Sequence, residues 1–497
     1  MSDDLGEISA RRSLARLPLY PVLFAVWPPL ALYAENVERI PFSVVTVPLL
    51  CFAAVGLVLP ILIRPFVGTW SKAGVMAAVV VVAFCVVWKP VGQDWLLFVS
   101  ALEPWLFNGF YTFFVFLALA ILHQLRADFG HLTVAFNTVA VVLLAWPLFQ
   151  IAGEIAKANL STALIEPISL PANMANADAK PDVVLLILDE YSRADFLKEH
   201  LNFDNGVFVK ALEARGFIVA LDSRSNYKFT RQSIPSTLNM DYLSSITTER
   251  GTEFDPAALI EDNRVLRLFD AMDYETYAFT TGYAITEPGP LVDHIMTDGA
   301  LVSMNEYAGM LLSFTPVGEV AGLLDITSPR DLWRDGILHT LRNLHVPIAG
   351  AGDRPVYVRA HVLSPHAPYV FSDDGGQRLS TGAVSLDEYD EGWQTPMIDQ
   401  IRGINHHVLE AVDSVLAASA EPPIIIITSD HATLGKPPHG RGVDILLALY
   451  LPGKGEHVPR ENIDSIHLVN LFRFIFNTYY DAGFEILDYQ KFEGDED

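Results

Sequence analysis

Hydrophobic positions divide the chain into two stretches with different rhythms. From about residue 17 to residue 152 apolar residues run in five blocks, at about 17–34, 41–63, 73–88, 105–124 and 132–152. Each is near the ~20 residues a helix needs to cross a bilayer, with 73–88 the short one. Leucine, valine and phenylalanine fill the blocks all round, which predicts membrane-spanning helices rather than one-sided surface helices. Apolar blocks keep recurring after the first, so a cleaved signal peptide fits poorly. Residues 156–180 are small, polar and punctuated by proline, and read as a linker.

Beyond the linker the rhythm changes. Val183–Leu188 is a continuous apolar run after Pro181, the pattern of a buried parallel strand. Further strands are expected at Phe217–Leu221, Thr276–Thr280, Pro355–Val362, Ile424–Thr428 and Asp444–Leu451. Helical patterns lie between them, at about 193–200, 205–215, 256–271, 398–418 and 468–479. Strands alternating with helices predict an α/β domain over 181–497 with a mostly parallel sheet, behind a transmembrane domain of about five helices over 1–155.

Charge sharpens this division. The chain is 51% hydrophobic yet carries a formal net charge of −26, and most of the acid lies in the second stretch. Net acidity argues against nucleic acid as a partner, since phosphate backbones need Lys and Arg. The two cysteines, Cys51 and Cys85, both sit in apolar blocks. The α/β domain therefore has neither a disulfide frame nor a cysteine metal ligand. Orientation follows from Lys and Arg in the short loops. Arg11, Arg12 and Arg16 precede the first block, Arg64 and Lys72 flank the second loop, and Arg126 lies in the fourth. The alternate loops hold only Arg39 and Lys89, with Glu35, Glu38, Asp94 and Glu103. A cytoplasmic N-terminus and five crossings place the α/β domain on the far side. The segment 94–103, near Trp95 and Trp105, reads as an aromatic belt or an interfacial helix.

Active sites of open α/β sheets gather at the carboxyl ends of strands. Three expected strand ends carry concentrated polar chemistry. VVLLILDEYSRADF places Asp189 and Glu190 where its strand stops, YVRAHVLSPHAPY offers His361 and His366, and IIIITSDHATLG offers Asp430 and His431, with His439 soon after in PPHGRG. Carboxylates and imidazoles from separate strands suit a divalent metal ion such as zinc or manganese, and suit calcium less because of the imidazole. Taken singly, each motif also reads as a helix cap or a turn. The hydroxyl-rich segment SNYKFTRQSIPSTLNM, 225–240, follows a strand and offers Thr230 or Ser233 at the start of a helix, where N–H groups and the dipole favour an anion. A threonine hydroxyl becomes a competent nucleophile when a metal lowers its pKa. Ser233, with Pro235 just after it, suits a helix cap.

In order and spacing these motifs resemble the sulfatase-like branch of the alkaline phosphatase superfamily over about residues 180–480. KPDVVLLILDEYSRADFL resembles its opening strand, and HVLSPHAPY and IIIITSDHA its later motifs. The five-block anchor resembles that of lipid A phosphoethanolamine transferase and lipoteichoic acid synthase, which move a phospho-headgroup from a phospholipid to a glycan. The resemblance implies that Glu190, Asp430 and His431 hold the metal, and that Thr230, in TRQSIPS, is both nucleophile and fourth ligand. It implies that His366 and His439 hold the transferred group or the leaving oxygen, and that Asp189 matches the extra carboxylate of sulfatases. It implies a multi-pass protein of a bacterial-type inner membrane with its catalytic domain in the periplasm or outside, and a phospholipid donor with a glycan or lipid acceptor. The chain departs from the pattern in three ways. Asp-His-Gly reads Asp430-His431-Ala432, the C-x-P-x-R nucleophile motif of sulfatases is absent, and so are the disulfides of the phosphoethanolamine enzymes. Two other functions fit the same motifs: a membrane-anchored phosphodiesterase or sulfuric ester hydrolase, with water as acceptor, and a non-catalytic binding protein that kept the fold.

Overall fold

The computed structural model describes residues 17–37, 42–87, 104–158, 170–175, 180–250, 254–297, 306–313, 315–317, 329–378, 392–433 and 441–493. The segment 94–103 and the loop cations Arg11, Arg12, Arg16, Arg39 and Lys89 lie outside the described residues. The chain forms two compact units. The first comprises Met1–Leu160, Tyr307–Thr327 and Thr381–Val384, and the second the remainder.

In the first unit, helices occupy all five expected blocks: Tyr20–Glu35, Phe42–Val67, Trp70–Val81 continued by a π-helical turn Val82–Val87, Pro104–Gln124 and Gly130–Ala158. Two, over Val44–Val67 and Gly130–Glu154, are long and apolar enough to cross a membrane, while Trp70–Val86 and Gly109–Gln124 are shorter apolar helices. Of the five expected spans, two are thus of full spanning length among the described residues. Asn137 ties the start of the first helix to the last: its Oδ1 accepts from the Leu19 and Tyr20 N–H groups at 3.0 and 2.9 Å, and its Nδ2 donates to the Leu17 carbonyl at 2.9 Å. Two of the orphan donors at a helix start are satisfied from a neighbouring helix. Gly56 lets another pair approach closely, since a Cβ there would meet Val22 Cα at 2.6 Å. The short helix Glu306–Ser313 brings Tyr307 and Leu311 into the apolar cluster of Leu30, Tyr33 and Ala34 in this unit.

The second unit is built on a sheet of seven strands: β1 (Val183–Leu188), β2 (Ile218–Val219), β3 (Glu275–Phe279), β4 (His294–Met296), β5 (Val356–Val362), β6 (Ile424–Thr428) and, after a small ribbon of β7 (Ala432–Thr433) and β8 (Arg441–Gly442), β9 (Leu447–Tyr450). Their order is β2-β9-β6-β1-β5-β3-β4. Strand β1 pairs in parallel with β5 on one side and β6 on the other, and every residue of these three strands is buried. That burial on both faces explains their unbroken apolar runs. The sheet is mostly parallel as expected, with β9 antiparallel to β6 and β2 antiparallel to β9.

Three local expectations are corrected. The strand expected at Asp444–Leu451 is shorter, β9 at Leu447–Tyr450, because Asp444 and Ile445 leave the sheet to form isolated bridges with Arg224 and Ser192. The helix expected over 256–271 is two, Pro256–Glu261 and Arg264–Ala271, because Asn263 takes extended backbone and caps the second with a hydrogen bond from Leu266 N at 2.8 Å. The short edge strand β4 was not expected. The core on one face of the sheet packs Phe269, Phe472, Phe476 and Tyr357 together, with the Phe269 and Tyr357 rings stacked at 4.3 Å. Helix Leu468–Tyr480 supplies two of these rings and lies against helix Thr230–Asn239.

Candidate active site

The register of the central strands sets the site. Leu188 of β1 lies opposite Val362 of β5, and Ile187 opposite Thr428 of β6. The residues after each strand therefore meet at one edge of the sheet, which is where chemistry in open α/β folds collects. The Asp189 N–H donates to the Val362 carbonyl at 3.0 Å, and the His366 N–H to the Asp189 carbonyl at 3.2 Å. The loop after β5 is thereby fastened to the turn after β1. Glu190, buried, takes a left-handed φ of 66°, and its N–H donates to Asp430 Oδ1 at 3.2 Å. A buried non-glycine residue held at positive φ costs about 1–3 kcal/mol, which persists only where the surroundings over-determine it. Ser429 supplies part of that constraint: its hydroxyl accepts from Tyr191 N at 2.8 Å and donates to the His431 carbonyl at 2.7 Å.

Thr230 is the first residue of its helix. Phe229 ahead of it is extended and offers no side-chain cap, so the first helical turn opens toward the site without a protein carboxylate on it. The Thr230 hydroxyl lies 3.3 Å from His431 Nε2. His431 Nε2 in turn lies 3.5 Å from both Asp189 Oδ1 and Asp430 Oδ2. Ser233 is not the helix cap that its neighbour Pro235 suggested. The helix begins three residues earlier, and the Ser233 hydroxyl is turned to donate to the Asp430 carbonyl at 2.6 Å.

His361, seen in sequence only as one of two histidines near a strand end, stands inside the cluster. Its Nε2 lies 4.0 Å from Asp189 Oδ2, and ligand atoms of Asp189, His361 and Asp430 all fall within 4.8 Å of one another. Its Nδ1 meets Thr286 Oγ1 at 3.0 Å, a hydroxyl that also lies 3.0 Å from Thr281 Oγ1 and 3.3 Å from the Tyr283 carbonyl. The other ring nitrogen, Nε2, is buried on the Asp189 side with no hydrogen-bond partner among the described residues. Burial pushes the His361 imidazole down to about 4, so it is neutral. Burial alone would raise the Asp430 carboxyl, but His431, His361, the Thr230 hydroxyl and the Glu190 N–H outweigh it and hold the group below the usual carboxylate range. His361 lies on the same face of β5 as the buried Arg359, at the strand's carboxyl end where the sequence offers it.

The fit to a metal ion rests on these acceptors. Asp430 Oδ2 and His361 Nε2 are buried with no hydrogen-bond partner among the described residues. Buried carboxylates that face an imidazole within 4.8 Å in a dry site could hold a cation between them. The donor set, imidazole with carboxylate oxygen, suits zinc or manganese. Among the expected site residues, Asp189, Thr230 and Asp430 are gathered around His431 Nε2. Glu190 contributes its backbone N–H, and its buried side chain acts with burial to raise the Tyr369 hydroxyl. His366 is fastened through its backbone. Its Nδ1 donates to the Ala367 carbonyl at 2.7 Å, which leaves Nε2 the basic nitrogen. His439 lies outside the described residues.

Solved structures to which the chain is similar include phosphoethanolamine transferases, a 2-O GAG sulfatase and a phosphonate monoester hydrolase. The chain is similar to the integral membrane protein lipooligosaccharide phosphoethanolamine transferase A of Neisseria meningitidis, with 13% identity, 94% of each chain covered and a TM-score of 0.44. It is similar to the C-terminal periplasmic domain of EcEptC from Escherichia coli, with 12% identity, 64% of this chain and 86% of that one covered, and a TM-score of 0.42. It is also similar to the phosphonate monoester hydrolase of Agrobacterium radiobacter, with 14% identity, 60% and 73% covered, and a TM-score of 0.38. No protein-family model matches the chain, and no curated protein matches it in sequence. At these identities and scores the likenesses assign no chemistry to this chain, and the geometry at the sheet edge has to supply it.

Proposed function

We propose that the chain is a membrane-anchored, metal-dependent phosphotransferase. It moves a phospho-headgroup, of the phosphoethanolamine or phosphoglycerol type, from a phospholipid to a glycan acceptor through a covalent intermediate on Thr230. The observation that carries this reading is the seat of Thr230: first in its helix, with its hydroxyl 3.3 Å from His431 Nε2, beside two carboxylates from separate strands. A divalent ion, zinc or manganese, would be held by Glu190, Thr230, Asp430 and His431 with Asp189 and His361 alongside, and when bound supplies the positive charge that acidifies a hydroxyl and offsets charge on phosphoryl oxygens.

The chain's own groups do the rest. Thr230 Oγ forms the bond to phosphorus as the bond to the lipid alcohol breaks, and the acceptor hydroxyl later reverses the exchange. The start of the Thr230 helix favours the phosphoryl oxygens through its N–H groups and dipole. The basic Nε2 of His366, joined by His439, handles the proton of the leaving or entering alcohol. The apolar helices of the first unit keep the enzyme in the bilayer that contains such a donor, and the catalytic unit works on the periplasmic or outer side.

The test is mass spectrometry of purified full-length protein after incubation with phospholipid, with peptide mapping. The expected result is a headgroup-phosphate adduct on Thr230 that is absent from Thr230→Ala, with turnover lost by ~10²–10⁴ or more. A Thr230→Ala protein that still turns over a chromogenic phosphodiester would overturn the covalent route.

A further inference from the structure

We propose that the C-terminal segment 481–493 is a strap that positions Thr230. This rests on the reading of Thr230 as nucleophile and goes beyond it, because no residue of the segment belongs to the cluster just described. The segment has no regular secondary structure and lies largely exposed at the surface. It is nonetheless fastened at both ends.

The near end is clamped by one polar stripe of helix Leu468–Tyr480. Asn477 exchanges two hydrogen bonds with the backbone of Phe484, both at 2.7 Å. Arg473 Nη1 donates to the Glu485 carbonyl at 2.8 Å. Asn470 accepts from Leu487 N at 3.0 Å and donates to the Leu487 carbonyl at 2.8 Å. Positions 470, 473 and 477 fall on one helix face by their spacing of three and four.

The far end meets the four residues that lead into Phe229 and Thr230, one after another. The Tyr489 hydroxyl donates to the Ser225 carbonyl at 3.3 Å. Asn226 Nδ2 donates to the Gln490 carbonyl at 2.8 Å, and the Phe492 N–H to the Asn226 carbonyl at 2.9 Å. The Phe492 ring stacks on Tyr227 at 4.8 Å with 10° between planes, and Lys228 pairs with Glu493. From its inner side the same loop is held by Ser225 N donating to the Val443 carbonyl at 2.8 Å and Val469 N donating to Asn226 Oδ1 at 3.1 Å. Residues 225–228 are therefore sandwiched between the domain and the strap, and the backbone they fix continues directly into the Thr230 helix. The strap thus acts on where Thr230 Oγ sits, not on which atoms bind the metal.

The experiment uses the full chain with Phe492→Ala, and Phe492→Trp as the variant that restores a stacked ring. Three things are measured: single-turnover formation of the Thr230 adduct by rapid quench and mass spectrometry, kcat and KM on a chromogenic phosphodiester, and metal content with the thermal midpoint. Phe492→Ala is expected to slow adduct formation and lower kcat about ten- to a hundredfold, the range for a displaced reacting group, with KM and metal content unchanged, and Phe492→Trp to recover most of the rate. Phe492→Ala forming adduct at the wild-type rate overturns the strap, as does a slowing that follows metal loss and is not rescued by tryptophan, since that is a stability effect alone. A wild-type chain that turns over without an adduct overturns the nucleophile assignment, and the two failures are thereby told apart.

Discussion

At the residue scale the chain concentrates buried charge where it also places strain. Asp430 is ionised in a dry site, accepts the Glu190 N–H, and has Oδ2 facing the cluster without a hydrogen-bond partner among the described residues. Asp430→Asn keeps the shape and one acceptor but removes the charge that the proposed divalent ion would rest on. The expected outcome is loss of bound metal with the fold retained, checked by elemental analysis beside circular dichroism, and full metal occupancy would show that the ligands lie elsewhere. The polar clusters at three strand ends are visible in sequence because Asp-Glu, His-x-x-x-x-His and Asp-His each stop an apolar run. How the two adjacent acids, both buried, are turned within the site is not visible. It depends on the backbone at Glu190 reversing to positive φ, and no glycine marks that turn. His361 is visible at its strand end, but its role is not: its partner Thr286 is distant in sequence, so nothing local distinguishes it from a core histidine.

At the scale of elements, the apolar runs of β1, β5 and β6 were legible because both faces are buried and every position reads alike. Element ends set by a single capping side chain were not. Asn263 splits one amphipathic run into two helices, its Oδ1 accepting from Leu266 N at 2.8 Å while its Nδ2 donates to the Ile260 carbonyl at 2.8 Å. Being buried, it leaves both partners unsatisfied when removed. Asn263→Ala is expected to lower stability by roughly 1–3 kcal/mol, combining a lost cap with an unpaired carbonyl. Metal content should be unaffected, since Asn263 touches none of the cluster. Denaturant unfolding of the variant measures this, and a change below about 0.5 kcal/mol would mean that the break between the helices is maintained by Asp262 and the backbone alone.

At the scale of the whole molecule, the Lys and Arg distribution predicts a cytoplasmic N-terminus and an outward catalytic unit. A reporter enzyme active only outside the cytoplasm, fused after Asp497, is expected to be active. An inactive fusion beside an active cytoplasmic reporter at the same point would require an even number of crossings. The order in which the sheet is laid down carries a consequence in time. The central strand β1 is made first, yet both its neighbours come much later, and the contact between Glu190 and Asp430 joins residues 240 apart. Pairings of such long range form slowly, because the intervening loop must be closed before they are rewarded. While synthesis proceeds, the bare VVLLIL run of β1 waits without partners and is exposed to association with other chains. The site completes only when β6 docks, so a metal ion can reward the finished domain and none of its precursors.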